Sequence, residues 1–390
     1  MQPERRARRT CRATCRRNLI AFCRASDEPT CTLPGACEGA SCSTTTPWVS
    51  AYYTGYDQDM MPASEIDFAS VTHLIHFAAI PRPDGTLDTE TDGLTTDHSA
   101  AVVAAAHTAG RKVLVTLGGA DSGPAFREAL RAERRATFVA NAVALVVERG
   151  YDGLDLDMEP IEPGDFADYS AFVREVRAAL NTAGSGLLLT AAVQQDARDV
   201  LLQVADALDQ INIMTYNLSG PWPGWVTWHD APLFDGGRTF DSTGEPLPSA
   251  DAIVHDFLAA GLPAGRLGIG IISEVAVWHG ASGPGQSIDG VSLEYRSYRD
   301  VLGTLWAPER ARFDAGPAAA YLSVDLPGTA NDLFVSYEDE AACARKMDYV
   351  RTNGLGGVIL WDVADAYLPD GPPGARNPLL GALGSAAAGG

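Results

Sequence analysis

Several features that mark common classes of protein are missing from this chain. No run of about 18 or more apolar residues occurs among its 390 residues, so the sequence predicts no membrane-spanning helix. Basic residues are scarce: 29 Lys and Arg stand against 50 Asp and Glu, and the formal net charge is −21. Because contacts with phosphates need Lys and Arg that displace counterions, this deficit argues against nucleic acid as a partner.

Cysteine is almost absent after residue 47. The first 47 residues hold six of the seven Cys, with eight Arg and four acidic residues, so they carry about +4 and the remainder about −25. A clustered, even set of Cys is typical of a disulfide-stapled or a metal-binding appendage. The segment has no CxxC pair and no His, which makes zinc the weaker alternative. Disulfides would imply an oxidising compartment.

The same segment is not a clean secretory signal. Its start is basic, but its only apolar patch, residues 18–22, is too short for the hydrophobic part of a signal peptide. The Ser-Thr-Thr-Thr-Pro run at 43–47 has the composition of a linker. We therefore predict that residues 1–47 lie outside the fold, that 48–383 form one domain and that 384–390 are a tail.

After residue 48, short runs rich in Val, Ile and Leu alternate with longer amphipathic segments. The eight candidate strands are Trp48–Tyr53, His73–Ala78, Lys112–Leu117, Gly153–Met158, Leu187–Val193, Gln210–Thr215, Leu267–Ile272 and Gly357–Asp362. This alternation predicts a parallel sheet covered by helices. Eight units fit an α/β fold of the (β/α)₈ TIM barrel type better than an open sheet, since no GxGxxG turn follows the first strand.

The chain is long between the seventh and eighth candidate strands. Two short apolar runs in this interval, Tyr321–Val324 and Leu333–Ser336, are typical of additional strands. We predict a small α+β insertion there, at roughly residues 280–335, and not a separate domain.

The stretch YDGLDLDMEP, residues 151–160, places four acids in an otherwise apolar run. Side chains alternate between the two faces of a strand, so Asp155, Asp157 and Glu159 share one face. Their face would line the barrel interior, with Glu159 at the C-terminal end, where the active sites of barrels lie. Asp152 has the opposite parity and is expected to be structural.

Stacked carboxylates in a partly closed site cannot all ionise freely, because burial and mutual repulsion raise at least one pKa. A carboxylic acid can then stay protonated near neutral pH and donate a proton. Two alternatives compete: a solvated face on an edge strand, and a Mg²⁺ or Ca²⁺ site. The D-x-D-x-D-G spacing of a calcium loop is absent and no His pair accompanies the acids, so we predict no metal and no cofactor.

The run DGLDLDME, residues 152–159, resembles the catalytic signature of glycoside hydrolase family 18, the chitinases and their relatives. In that family, Asp-Gly-x-Asp-x-Asp-x-Glu ends the fourth barrel strand. Four other stretches resemble family segments in the same order: Val115–Gly119, Met214–Asn217, Phe334–Asp339 and Gly356–Asp362. The resemblance covers roughly residues 48–383 and implies a catalytic barrel there.

The resemblance implies retaining hydrolysis of β-1,4 bonds in chitin or chito-oligosaccharides, without a nucleophile from the enzyme. Glu159 would protonate the glycosidic oxygen, and the substrate's 2-acetamido oxygen would attack the anomeric carbon to give an oxazolinium ion. Asp157 would orient the acetamido N–H, and Asp155 would tune Asp157 by sharing a proton. Tyr216 would hydrogen-bond the acetamido carbonyl, and Glu159 would finally activate water.

The resemblance also implies substrate contacts. Trp361 would form the floor beneath the cleaved sugar, and the other candidates are Tyr52, Phe77, Met214 and Asn217. The sequence departs from the family at Asn217, where Asp is usual and a charge is lost, and at Glu274, where an aromatic residue is common. Three Trp follow Tyr216 closely, Trp222, Trp225 and Trp228, and either form further sugar subsites or cap the barrel rim.

Two alternative functions use the same barrel. An endo-β-N-acetylglucosaminidase would cut N-glycans with the same residues, and a catalytically silent, lectin-like protein would only bind chitin. Silent relatives commonly lack the acid at the position of Glu159, which argues against the second alternative. We expect a secreted monomer whose partners are chitin or N-acetylglucosamine oligosaccharides, with neither nucleic acid nor a membrane involved.

Overall fold

The computed structural model describes residues 46–326, 331–372 and 374–389. Its strands are β1 (Trp48–Thr54), β2 (His73–Pro81), β3 (Leu87–Asp88), β4 (Lys112–Gly119), β5 (Gly153–Met158), β6 (Leu188–Val193), β7 (Gln210–Ile213), β8 (Leu267–Ile272), β9 (Glu274–His279), β10 (Ser292–Ser297), β11 (Ala311–Asp314), β12 (Ala319–Val324), β13 (Leu333–Tyr337) and β14 (Gly357–Trp361). Its helices are α1 (Thr96–Thr108), α2 (Gly123–Ala129), α3 (Ala132–Arg149), α4 (Phe166–Ala183), α5 (Arg198–Val204), α6 (Ala250–Ala260), α7 (Tyr298–Thr304), α8 (Glu340–Asn353) and α9 (Pro378–Ala387).

Eight of the strands close into a parallel barrel. They follow one another in the order β1, β2, β4, β5, β6, β7, β8 and β14, and β14 pairs again with β1. The predicted (β/α)₈ barrel is therefore confirmed, and closure removes the open-sheet alternative. All eight candidate strands are present, with ends that differ by up to three residues.

Strand β7 ends two residues earlier than predicted, for a local reason. The Thr215 hydroxyl donates to the carbonyl of Gly270 at 3.2 Å and accepts the Gly270 N–H at 2.9 Å. This side chain takes over contacts that a longer strand would make through its backbone. The chain can therefore leave the barrel after Ile213 and enter the turn that carries Tyr216.

The two faces of β5 separate as its alternation predicts. Leu154, Leu156 and Met158 are buried in the layer between the barrel and its helices. That layer includes Phe138 of α3 and Phe172 of α4, whose rings stack with centroids 4.7 Å apart. Burying one such ring contributes roughly 1.5–3 kcal/mol, so this packing fixes β5 and turns its acids inward.

The predicted α+β insertion is confirmed between β8 and β14. Five strands form an antiparallel sheet in the order β10, β9, β13, β12 and β11, accompanied by α7. The sheet begins at Glu274, two residues after β8 ends and earlier than the predicted start near 280. The start of the insertion therefore lies at the C-terminal rim of the barrel.

At the C-terminal end, α9 extends through Ala387 and includes residues that the sequence placed in a tail. Leu379, Leu380 and Leu383 are buried along one side of this helix. The predicted Cys-rich appendage lies outside the described residues, apart from the two positions that precede β1. Within the described ranges, no helix combines the length and apolar character that a membrane span requires.

Candidate active site

Asp155 lies fully buried beneath the cleft, held by three hydroxyl groups. Tyr52 donates to its Oδ2 at 2.9 Å and Thr116 to the same oxygen at 3.3 Å, while Thr190 donates to Oδ1 at 2.5 Å. Burial raises the pKa of Asp155, and these hydrogen bonds oppose the rise. Asp155 therefore acts on the site from below and does not form part of the cleft wall.

Asp157 is the next acid on the same face, and it is 4% exposed at the bottom of the cleft. Burial raises its pKa well above the usual range, and the neighbouring charges of Glu159 and Asp155 raise it further. Its Oδ1 atom is buried without a hydrogen-bond partner in the part of the chain that the structure describes. A buried polar atom of this kind is costly, so Asp157 is ready for a ligand that bonds to it.

Glu159 follows the end of β5 and is half-buried on the cleft wall. Burial raises its pKa, while hydrogen bonds with Asp157 and Gln194 lower it. The Gln194 amide donates to Oε2 of Glu159 at 2.9 Å. On balance the pKa of Glu159 is raised, so its carboxyl group stays protonated to a higher pH than that of an exposed Glu.

Two side chains that hold these acids were missed by the sequence analysis. Gln194 directly follows β6, and Ser122 precedes α2. The Ser122 hydroxyl accepts the Glu159 N–H at 3.3 Å and donates to the Asp157 carbonyl at 3.1 Å. Both lie just beyond barrel strands, and that position is the one signal that could have identified them.

A cleft of about 750 Å³ opens at the C-terminal end of the barrel. Its floor is Trp361, whose ring meets Tyr52 edge to face at a centroid distance of 5.2 Å and Phe77 at 4.7 Å. A Cβ at position 119 would lie 2.5 Å from the Phe77 ring, so Gly119 leaves room for it. An apolar aromatic floor of this size suits the C–H face of a sugar ring.

Met214, Tyr216 and Asn217, three of the candidate substrate contacts, form another part of the cleft wall. Burial raises the pKa of Tyr216 well above its usual range, and the charges of Asp157 and Glu159 raise it further. Its hydroxyl therefore stays protonated and can donate a hydrogen bond. A Cβ at position 270 would lie 2.5 Å from the Tyr216 ring, so a glycine is needed there.

The hypothesis that three Trp form further sugar subsites is wrong for Trp228. Its ring is fully buried, and its indole N–H donates to the Pro248 carbonyl at 2.9 Å, which is a structural contact. Trp222 is 47% exposed and packs edge to face on Trp225, with centroids 4.5 Å apart. These two rings stay candidates for sugar contacts.

The cleft wall is acidic beyond its catalytic candidates. Four more carboxyl groups contribute to it, from Asp92, Asp121, Asp196 and Glu274. Among the described residues, no Lys, Arg or His lines this cleft. The charge of Asp121 raises the pKa of Glu159, so the rim helps to keep that carboxyl protonated. Glu274, which the sequence marks as unusual, does reach the cleft.

The sequence is similar to that of known proteins over most of the barrel. Residues 49–366 match the model of the family "Glycosyl hydrolases family 18". The chain is 27% identical over 296 residues to chitinase A1 of Niallia circulans, and the match covers 65% of this chain and 40% of that protein. It is 26% identical over 291 residues to endochitinase 1 of Metarhizium robertsii, covering 69% of this chain and 65% of that protein. The chain thus spans less than two thirds of the length of either relative.

A solved structure shares the fold. The plant class V chitinase mutant from Cycas revoluta, in complex with (GlcNAc)₃, superposes with a TM-score of 0.72 at 23% identity. That superposition covers 87% of this chain and 99% of the Cycas chain. With the family match over most of the barrel and the acids of β5 in place at its C-terminal end, the chain belongs to glycosyl hydrolase family 18.

Proposed function

We propose that the protein hydrolyses β-1,4 bonds of chitin or chito-oligosaccharides with retention of configuration, using the substrate's acetamido group as the nucleophile. The observation that carries this proposal is the pairing of Asp157 with Glu159, two carboxyl groups of raised pKa beside an aromatic floor. The curated relatives are named as chitinases, and the Cycas structure holds a GlcNAc trimer, which supports this substrate class.

Glu159 acts first as a general acid. Its raised pKa keeps the carboxyl group protonated to a higher pH than that of an exposed Glu, so it can transfer its proton to the glycosidic oxygen. The bond from the anomeric carbon to that oxygen then breaks, and its electron pair leaves with the departing sugar. The acetamido oxygen attacks the anomeric carbon, and the product of this step is an oxazolinium ion.

Asp157 and Tyr216 hold the acetamido group during this attack. The unpartnered Oδ1 of Asp157 accepts the acetamido N–H, whose positive charge grows as the ring forms. The Tyr216 hydroxyl donates to the acetamido carbonyl and keeps it pointed at the anomeric carbon. Asp155 contributes through its charge, because its oxygens already accept the hydroxyl groups beneath it.

In the second step, Glu159 acts as a base. Now ionised, it removes a proton from water while the water oxygen bonds to the anomeric carbon. The bond from that carbon to the acetamido oxygen breaks, and the acetamido group is restored. Two inversions at one carbon give net retention, and Glu159 ends the cycle protonated as it began.

Glu159→Gln tests the proposal. The amide keeps the shape and the contact with Gln194 but has no proton to transfer, so we expect hydrolysis of N-acetylglucosamine hexamers to fall by more than about a thousandfold, the order seen when a catalytic acid is removed. Binding should survive, because the aromatic floor is unchanged. A matched control is Glu162→Gln, which changes a largely exposed carboxyl group three residues further along the chain.

Three outcomes separate the candidate functions. Products measured by chromatography from the hexamer and from a high-mannose glycopeptide distinguish a chitinase from an endo-β-N-acetylglucosaminidase. Binding without turnover by the parent protein would indicate a lectin-like protein. Normal turnover by Glu159→Gln would contradict the assignment of the acid.

A further inference from the structure

Asp230 is a buried carboxyl group that the catalytic proposal does not use. It is 2% exposed and lies in the loop between β7 and α6. Its backbone N–H donates to the Ser336 hydroxyl on β13 at 2.9 Å, so the insertion sheet holds it from behind. The free-energy cost of burying a carboxyl group must be offset by hydrogen-bond donors. The residues that supply these donors show which segment the carboxyl group holds in place.

The donors to the Asp230 carboxylate come from the wall of the cleft, at Asn217, and from the insertion sheet, at Tyr295. The backbone N–H of Asn217 donates to Oδ2 at 3.1 Å, and the Tyr295 hydroxyl donates to Oδ1 at 3.3 Å. The Asp230 carbonyl also accepts the N–H of Leu218 at 2.9 Å. One residue thus makes two contacts with the turn that follows Tyr216.

This turn needs an anchor, because its backbone is unusual. Asn217 has a φ of 53°, in the left-handed region that non-glycine residues rarely occupy. Such a conformation costs about 1 kcal/mol or more and persists only where surrounding contacts fix it. The carboxylate of Asp230 supplies that contact, and Tyr216 and Asn217 consequently line the cleft.

We propose that Asp230 is a positioning residue for the sugar-binding turn, which holds Tyr216 and Asn217 against the substrate from one layer behind the cleft wall. The identity of the sugar rests on the function proposed above, whereas the anchoring of the turn does not. Asp230 does not touch the sugar and transfers no proton to it.

The electrostatics of the pocket around Asp230 fit this role. Burial, with a smaller contribution from the charge of Glu274 at the start of β9, raises the pKa of Asp230 to about 7. The N–H of Asn217, the Tyr295 hydroxyl on β10 and the charge of Lys346 on α8 oppose the rise. The donors to Asp230 therefore stabilise the charged carboxylate, which is the form that accepts both hydrogen bonds.

The test compares Asp230→Asn with Asp152→Asn. Asp152 also accepts a backbone N–H, that of Val113 at 2.9 Å, but it precedes β5 at the opposite end of the barrel. The first readout needs no sugar: amide hydrogen exchange of the segment 214–222, measured by mass spectrometry. We expect faster exchange of this segment in Asp230→Asn and none of this change in Asp152→Asn.

The second readout is sugar binding in the Glu159→Gln background, where no substrate is consumed. Asp230→Asn should weaken binding of the N-acetylglucosamine hexamer about five- to tenfold, the loss expected when one hydrogen bond of ordinary strength is removed. The loss should be smaller when Tyr216 is already Phe, because both changes act through one turn. A structural residue would give additive effects.

The outcomes separate the two proposals. Unchanged exchange in 214–222, or additive effects of Asp230→Asn and Tyr216→Phe, would overturn the role of Asp230. Faster exchange together with no binding of the hexamer by any variant would leave the anchor standing and refute the proposed substrate. If Asp230→Asn does not fold, Tyr295→Phe decides by the same exchange criterion, since it removes one of the two donors.

Discussion

Replacing Gln194 by Leu should move the pH profile of the enzyme in a direction that the structure fixes. The Gln194 amide donates to Oε2 of Glu159 at 2.9 Å, and this bond favours the ionised carboxylate. Leu has a similar volume but no donor. The pKa of Glu159 should therefore rise in the variant, and the acid needed for the first step should stay protonated to a higher pH.

The size of the effect follows from the exposure of the pair. A hydrogen bond to a charged group contributes about 1.5–3 kcal/mol when buried, but Gln194 is exposed and Glu159 is half-buried, so about 0.5–1 kcal/mol is reasonable here. Since about 1.4 kcal/mol corresponds to a tenfold change in an equilibrium constant, the basic limb should shift upward by about half a pH unit. Because the carboxyl groups of Asp157 and Glu159 interact, the measured shift is a change in the apparent pKa of the pair and not of Glu159 alone.

The assay is kcat/KM for a chromogenic chito-oligosaccharide between about pH 4 and pH 9, a range that spans the ordinary and raised carboxyl values. Gln195→Leu is the matched control, since it changes the neighbouring residue on the same cleft wall. We expect its basic limb to coincide with that of the parent. A limb that moves to lower pH in Gln194→Leu, or that moves equally in both variants, would refute this reading of the hydrogen bond.

Four further predictions test other parts of the structure. Trp361→Ala should weaken binding of the N-acetylglucosamine hexamer by about tenfold or more in calorimetry, because the aromatic floor is lost. Gly270→Ala should lower kcat while leaving the circular dichroism spectrum intact, because the new Cβ displaces the Tyr216 ring. Asp362→Asn should gain thermal stability relative to the parent as the pH rises. Burial and the charge of Asp365 raise the pKa of Asp362 to about 8, so the parent loses folding stability from the ordinary carboxyl range up to about pH 8. A chelator should leave hydrolysis unchanged, whereas loss of turnover that added Mg²⁺ or Ca²⁺ restores would contradict a reaction carried by side chains alone.

The barrel and its acidic strand could be predicted from sequence because both depend on local periodicity. Eight apolar runs that alternate with amphipathic segments allow few arrangements other than a closed barrel. The parity of residues 153–159 decides which side chains point inward, and the helices cover the other face. Neither inference needs contacts between distant parts of the chain.

The contacts of the supporting residues could not be predicted, because they act across the fold: a position just beyond a barrel strand marks Ser122 and Gln194 as candidates but does not show that they meet Glu159. Ser122 and Gln194 reach Glu159 from loops 37 and 35 residues away in sequence, and Asp230 reaches Asn217 through a loop that no pattern marks. Trp228 shows the converse: its place in an aromatic stretch indicated a sugar contact, but the fold buries it. Periodicity does not encode which loop side chains meet at the rim.

The central claim is that the acetamido group of the substrate is the nucleophile, with Asp157 and Tyr216 holding it. The most direct measurement is inhibition by the thiazoline analogue of N-acetylglucosamine, which mimics the oxazolinium ion. We predict competitive inhibition that weakens in Asp157→Asn, because Asp157 supplies the acceptor for the N–H of the protonated thiazoline ring. Absence of inhibition at millimolar concentration, in a protein that hydrolyses chito-oligosaccharides, would contradict the mechanism.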